Sequence, residues 1–305
     1  MLPSTHRSRL LRLSDCTGAV NQSIASGGSA AANSRSDLQG LTNKKDAPAS
    51  LLGHHGVVPT APISRLVAAR VAELQRFVGR HPAIALTLAA LLALALGMTA
   101  AAASIYDAVT ESEGVAGLDQ PVLEFAVAHR NPGLDDAVTT FTDLGGSTYS
   151  PVIAAVSAAA IAVAWRRWTP LVLMALATLG SVLMTVVGKA VVGRVRPPAE
   201  LAVPPLESSF SFPSGHTLNT LVVAGVVAYL LIERCSTRWM RLALLVFAGG
   251  YAAAMGLSRV FLGHHWLTDV LVAWALGLAW LAIVITGHRV WLLRTGHHPK
   301  AVDAA

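Results

Sequence analysis

The sequence predicts an all-α polytopic membrane protein: a bundle of six transmembrane helices, with short interfacial helices in the first outer loop. Three observations carry this. Of 305 residues, 53% are hydrophobic and 13% charged, with a mean hydropathy of +0.55, whereas a soluble domain carries about 25% charged residues. Six apolar runs approach the ~20 residues that a membrane span needs. Basic residues gather in alternate connections, the pattern that membrane topology imposes.

Taken in order, residues 1–60 are rich in Ser, Ala, Gly and Asn without a sustained apolar period, and read as a disordered tail. They lack the continuous apolar core of a cleaved secretory signal. In residues 61–81, Ile63, Leu66, Val67, Val71, Leu74, Phe77 and Val78 recur at helical spacing, with Arg65, Arg70, Arg76 and Arg80 between them. This pattern predicts an amphipathic juxtamembrane helix, either lying on an anionic leaflet or leading into the first span.

The membrane domain is expected over 82–287, with spans at 82–105, 147–165, 168–188, 217–232, 242–257 and 270–287. The fourth and fifth are short and need their flanks to cross a bilayer. The loop 106–146 holds many acids and a single cation, Arg130. Within it, Pro121 suits a helix start, Asn131-Pro132-Gly133 reads as a turn, and residues 134–144 suit a second short helix.

Arg166 and Arg167 link the second and third spans, and Arg234, Arg238 and Arg241 the fourth and fifth. Arg289, Arg294 and Lys300 follow the sixth, in an expected cytoplasmic tail at 288–305. The positive-inside rule makes these connections and both termini cytoplasmic, so the opposite ends of the helices face outward. The net charge of +6 is thus spent on topology, which argues against nucleic acid as a partner. Cys16 and Cys235 lie far apart and on the reducing side, so no disulfide is expected.

Three polar clusters interrupt the apolar chain, all at predicted outward ends: Lys189-x6-Arg196-Pro197, Pro213-Ser214-Gly215-His216 and Ser258-Arg259-x5-His265-x3-Asp269. Charge near a bilayer is expensive, so shared placement suggests a shared site. On a helix, His265 and Asp269 share a face, where the carboxylate holds one imidazole nitrogen and leaves the other free to attack. Ser214 and Gly215 start the fourth helix, whose N-terminus favours an anion, and His216 suits a general acid. Lys189 and Arg196 stand two turns apart if helical and reach a phosphate from one wall. Arg194 reads as a snorkelling or headgroup-contacting side chain. Each cluster alone has a bland reading: a helix cap, a snorkelling cation, or a metal set built on His264, His265 and Asp269. No further carboxylate or Cys cluster completes a metal site, so no metal and no cofactor is expected.

The three motifs together resemble the signature of the type-2 phosphatidic acid phosphatase superfamily, which also contains vanadium haloperoxidases. The resemblance covers about 82–287. It implies metal-independent dephosphorylation through a phosphohistidine, with His265 as nucleophile, Asp269 orienting it and His216 protonating the leaving group. Lys189, Arg196, Ser214, Gly215 and Arg259 then form the phosphate cradle. The implied substrate is a phosphorylated lipid in the membrane: undecaprenyl diphosphate, phosphatidic acid or phosphatidylglycerol phosphate. Two alternatives use the same residues, phosphotransfer from the phosphohistidine to another acceptor and, in a different class, transport of a phosphorylated lipid. A transporter would be expected to show internal repeats, and none is seen. Halide oxidation suits six lipid-length spans poorly.

Overall fold

The computed structural model describes residues 63–295, and every element in it is helical. The expected tail at 1–60 and residues 296–305 lie outside the described residues. Helix α1 (Ile63–Arg80) is followed by α2 (Pro82–Glu111), which has proline at its start, where a missing N–H costs nothing. A 3-10 turn at Gly114–Leu118 leads to α3 (Asp119–Ala128) and α4 (Pro132–Asp143). Then come α5 (Tyr149–Trp165), α6 (Thr169–Val192), α7 (Gly215–Ile232), α8 (Arg238–Phe261) and α9 (Leu267–Thr295).

Five of these, α2, α6, α7, α8 and α9, are long and apolar enough to cross a membrane. The segment expected as the second span is α5, equally apolar but 17 residues long, or about 26 Å at 1.5 Å per residue. The two short sequence runs lengthen as anticipated. α7 begins at Gly215, and α8 runs from Arg238 through Arg259 to Phe261. α9 continues past the expected boundary at 287 to Thr295.

The outer loop folds into α3 and α4 as its apolar spacing predicts. Asn131-Pro132-Gly133, however, is a helix start rather than a turn. Asn131 Oδ1 accepts from the Leu134 N–H at 3.0 Å and Pro132 occupies the first turn, so the same three residues serve as cap and initiator.

At the centre stands α7. Leu218, Val222, Val226 and Leu230 recur every four residues, share one face, and are buried against α5, α6 and α9. Small residues let the helices approach, as is usual where lipid supplies no hydrophobic drive. A Cβ on Gly256 would lie 2.6 Å from the Trp274 ring of α9, and one on Gly277 2.7 Å from Leu221 of α7. By contrast α2 and the outer faces of α6 and α8 present exposed Leu86, Leu96, Leu179, Leu183 and Phe247, an apolar belt that only lipid would cover.

Candidate functional site

Four helix ends meet at one end of the bundle: the C-termini of α6 and α8 and the N-termini of α7 and α9. Lys189 sits in the last turn of α6. The helix then stops at Gly193, which is left-handed (φ +61°), so Lys189 and Arg196 are not two turns apart on one helix. Arg196 returns from the following loop instead. The two cations meet through Ser209: Lys189 Nζ donates to Ser209 Oγ at 2.7 Å, and Arg196 Nε donates to Ser209 O at 2.6 Å.

Arg259, in the last turn of α8, is buried, and its Nη1 donates to Thr142 Oγ1 at 3.4 Å. Beyond it the chain turns at Gly263 (φ +74°) and delivers His265 two residues before α9 begins. His265 and Asp269 therefore do not share a helical face, but they still meet. His265 Nδ1 lies 3.4 Å from Asp269 Oδ2 and 3.3 Å from Ser211 Oγ, and Ser211 Oγ donates to Asp269 Oδ2. This arrangement assigns the proton to Nδ1, with the Ser211 hydroxyl accepting it and donating onward. Nε2 keeps its lone pair and faces Arg196 Nη1 at 3.3 Å. The imidazole is 1% exposed. Burial, only partly opposed by Asp269, pushes its pKa down to about 4.

Asp269 is buried and fully used. Trp266 N donates to Oδ2 at 2.9 Å and Arg194 Nη1 to Oδ1 at 2.7 Å. Arg194 is thus not a snorkelling side chain. It bridges Asp269 to Asp119, its Nη2 donating to Asp119 Oδ2 at 2.7 Å, while Asp119 also accepts from Thr268 N and Thr268 Oγ1. An apolar environment rewards a cation that meets two buried carboxylates more than one that reaches for water.

Ser214 stands at the N-cap position of α7 without a side-chain capping bond and is buried, its Oγ accepting from Thr217 Oγ1 at 2.9 Å. Gly215 is the first helical residue. His216 Nδ1 lies 4.0 Å from Glu207 Oε1, and its Nε2 faces Gly146 at the α4–α5 turn. The segment that carries α3 and α4 therefore walls one side of the site.

Glu207 is the first of five network residues that sequence reasoning missed. Its carboxylate pairs with Arg259 Nη2 and accepts from Arg196 Nη2 at 2.8 Å. Although burial opposes ionisation, Arg259 and Arg196 outweigh it and hold the pKa at about 2. The loop thus sets a carboxylate between the cations assigned to phosphate. Arg194, Asp119, Ser211 and Thr268 were also missed as members of the network.

All eight residues singled out from the sequence lie in or beside this cluster. Among the described residues no group of three or more His, Cys, Asp or Glu is placed to hold a metal, and His264 turns its Nε2 to Val203 O at 2.7 Å. Chemically the arrangement offers three cations, an imidazole with Nδ1 held by Ser211 and Asp269 and Nε2 turned to Arg196, and a second imidazole across the centre. Buried Arg259 Nε has no acceptor among the described residues, which leaves donor capacity for an anion.

A family model described as the PAP2 superfamily matches residues 170–291, a span that contains all eight. The chain is 35% identical over 176 residues to phosphatidylglycerophosphatase B of Bacillus subtilis (strain 168), covering 57% of this chain and 85% of that protein. It is 34% identical over 103 residues to undecaprenyl-diphosphatase of Sulfolobus acidocaldarius, covering 32% and 45%. Among solved structures it resembles a transmembrane PAP2-type phosphatidylglycerolphosphate phosphatase from Bacillus subtilis. That match has a TM-score of 0.59 and 30% identity, covering 64% of this chain and 95% of the other.

Proposed function

Because the chain belongs to the PAP2 superfamily, we propose that it is an integral membrane lipid phosphatase working through a phosphohistidine on His265. The observation that carries this is the orientation of His265. Nδ1 is held by Ser211 and Asp269, while Nε2 points to the cations.

In the first step the Nε2 lone pair attacks phosphorus and the bond to the lipid oxygen breaks. Lys189, Arg196 and Arg259 offset the charge on the transferring group, and the helix start at Ser214–Gly215 adds partial positive charge. Protonated His216 gives its proton to the departing oxygen, and the negative phosphate beside it favours that charged form. In the second step neutral His216 takes a proton from water, the oxygen attacks phosphorus, and the N–P bond breaks to release phosphate. For phosphate to enter, the Glu207 carboxylate must leave Arg196 and Arg259.

The basic residues Arg166, Arg167, Arg234, Arg238 and Arg289 stand at the end opposite this cluster, which supports a site facing outward and cytoplasmic termini. The substrate is a lipid phosphate whose head reaches the cluster while its chain stays in the bilayer. The 85% coverage of the phosphatidylglycerophosphatase favours phosphatidylglycerol phosphate first, with phosphatidic acid and undecaprenyl diphosphate as competitors. The test is phosphate release from these three lipids by purified protein in excess EDTA, beside His265→Ala. Release that persists in EDTA and vanishes in the variant is expected. Wild-type turnover by the variant would overturn the mechanism, and lack of release from every lipid would overturn the activity.

A further inference from the structure

A cavity of about 1050 Å³ opens between α5, α6 and α9, far from the cation cluster. Thr169 at its mouth stands 20 residues before Lys189 on α6, or ~30 Å at 1.5 Å per residue. The cavity therefore belongs to the other side of the bilayer from the catalytic cluster. Its wall is apolar, formed by Leu173, Trp280 and Val284, and its mouth carries Arg166, Arg167 and Trp168. Ligand sites run to about 300–1,000 Å³, so the space suits a lipid chain, and an apolar wall at this depth takes hydrocarbon rather than water.

Two features select the head group. Arg166 and Arg167 are exposed, and their guanidinium groups have no hydrogen bond or ion pair among the described residues, whereas nearby Arg234 stacks on Trp165 and Arg289 pairs with Glu233. In addition, Arg166 holds the left-handed C-cap of α5 (φ +53°), a position where glycine is the usual occupant. The chain thus accepts a strained backbone and keeps two adjacent arginines at the mouth. We propose that this cavity is a second lipid site, which takes an anionic phospholipid from the leaflet opposite the catalytic cluster. Its chain lies along Leu173 and Trp280 and its phosphate on Arg166 and Arg167. Arginine clusters at helix ends favour anionic lipids in this way. The site can also be filled from within: no atom lies within 4 Å of a Cβ built on Gly287, which lines the cavity.

The experiment is native mass spectrometry of the full chain in neutral detergent, titrated with phosphatidylglycerol and phosphatidylcholine in equal amounts, and separately with glycerol phosphate. Retention of phosphatidylglycerol over phosphatidylcholine is expected. The double variant Arg166→Gln, Arg167→Gln should cut that preference ~10-fold. Gly287→Phe, which fills the space without touching either arginine, should remove the bound lipid. Both variants should release phosphate in neutral detergent at the wild-type rate, which shows that they fold. Lys189→Ala, which weakens the catalytic cluster, should leave retention unchanged. The proposal is overturned if the preference survives both cavity variants, or if retention falls with Lys189→Ala. Displacement by glycerol phosphate would also sink it, since a bare anion site needs no chain. So would loss of a dimer peak at constant lipid retention, since the surface would then be one for self-association.

Discussion

Glu207 pairs with Arg259 inside the cation cluster, although the two residues come from different walls of the site, a loop and the end of α8. The same carboxylate accepts from Arg196, so one protein anion covers two of the three cations that phosphate would use. A phosphate must compete with it, and the competition has a sign. Glu207→Gln keeps the shape and removes the charge. Hydrogen bonds to charged groups contribute about 1.5–3 kcal/mol, and 1.4 kcal/mol is tenfold in affinity. Inorganic phosphate, measured by titration calorimetry, should therefore bind the variant about tenfold more tightly. Unchanged or weaker binding would show that the carboxylate does not stand in the phosphate's place.

Why this residue escaped the sequence, when its neighbours did not, has a physical explanation. Lys189, Arg196, Ser214, His216, Arg259, His265 and Asp269 announce themselves because charge and histidine at the ends of apolar spans demand a reason. Glu207 and Ser211 lie in a stretch between α6 and α7 that has no helical period, so nothing in their spacing says which way they point. The available signal was a pair of acids, Glu200 and Glu207, between two basic motifs, with nothing to say which of them turns inward. Arg194 was misread because snorkelling is the usual fate of an interfacial cation, and its partner Asp119 is 75 residues away. The helices themselves were legible because lipid demands long apolar runs. Their ends were less so, since α8 and α9 carry charged residues inside regular helix.

That misread arginine separates positioning from binding. Arg194 is placed to hold Asp269, and through it His265, whereas Arg196 faces the reacting centre directly. Removing one partner of a buried ion pair costs about 3–5 kcal/mol, and Arg194→Ala strands two buried carboxylates. It should lower the melting temperature and reduce kcat while leaving KM near wild type. Arg196→Ala should raise KM and lower kcat together. The readout is lipid hydrolysis kinetics beside thermal unfolding in detergent. Equal effects of both variants on KM would place Arg194 among the binding cations instead.

Acid should destabilise the protein in two stages. His265 is held at about 4 by burial, against an ordinary 6.5. Between these values the unfolded chain takes up a proton that the folded one refuses, so stability falls as pH drops from 6.5 toward 4. Glu207, held at about 2 by Arg259 and Arg196 against burial, compared with an ordinary 4.5, repeats this from 4.5 downward. Thermal unfolding of wild type and His265→Gln across this range isolates the His265 share of the first stage, to which His264, also lowered by burial, adds. The variant should lose less melting temperature between pH 6.5 and pH 4. Parallel curves would mean that the imidazole is not held neutral by the fold.

Gly263 sets the position of His265 by turning the chain where α8 ends. Its φ of +74° is a conformation that side chains disfavour, and an added Cβ would lie 2.5 Å from Leu201 O and 3.1 Å from Ala202 Cα. Leu201 O is not free to retreat, since it accepts from Arg130 Nη1 at 2.5 Å, and Arg130 Nε is bound to Phe261 O. Gly263→Ala therefore meets both backbone strain and a clash with a tethered carbonyl, a combined cost of ~2–3 kcal/mol. For a helical domain of this size that corresponds to a fall of roughly 5 °C or more in melting temperature. Gly249→Ala is the control, because it lies within α8 with open space around it, and alanine there should be neutral or slightly stabilising. If Gly263→Ala melts with the control, the turn tolerates a side chain and His265 is positioned by its hydrogen bonds alone.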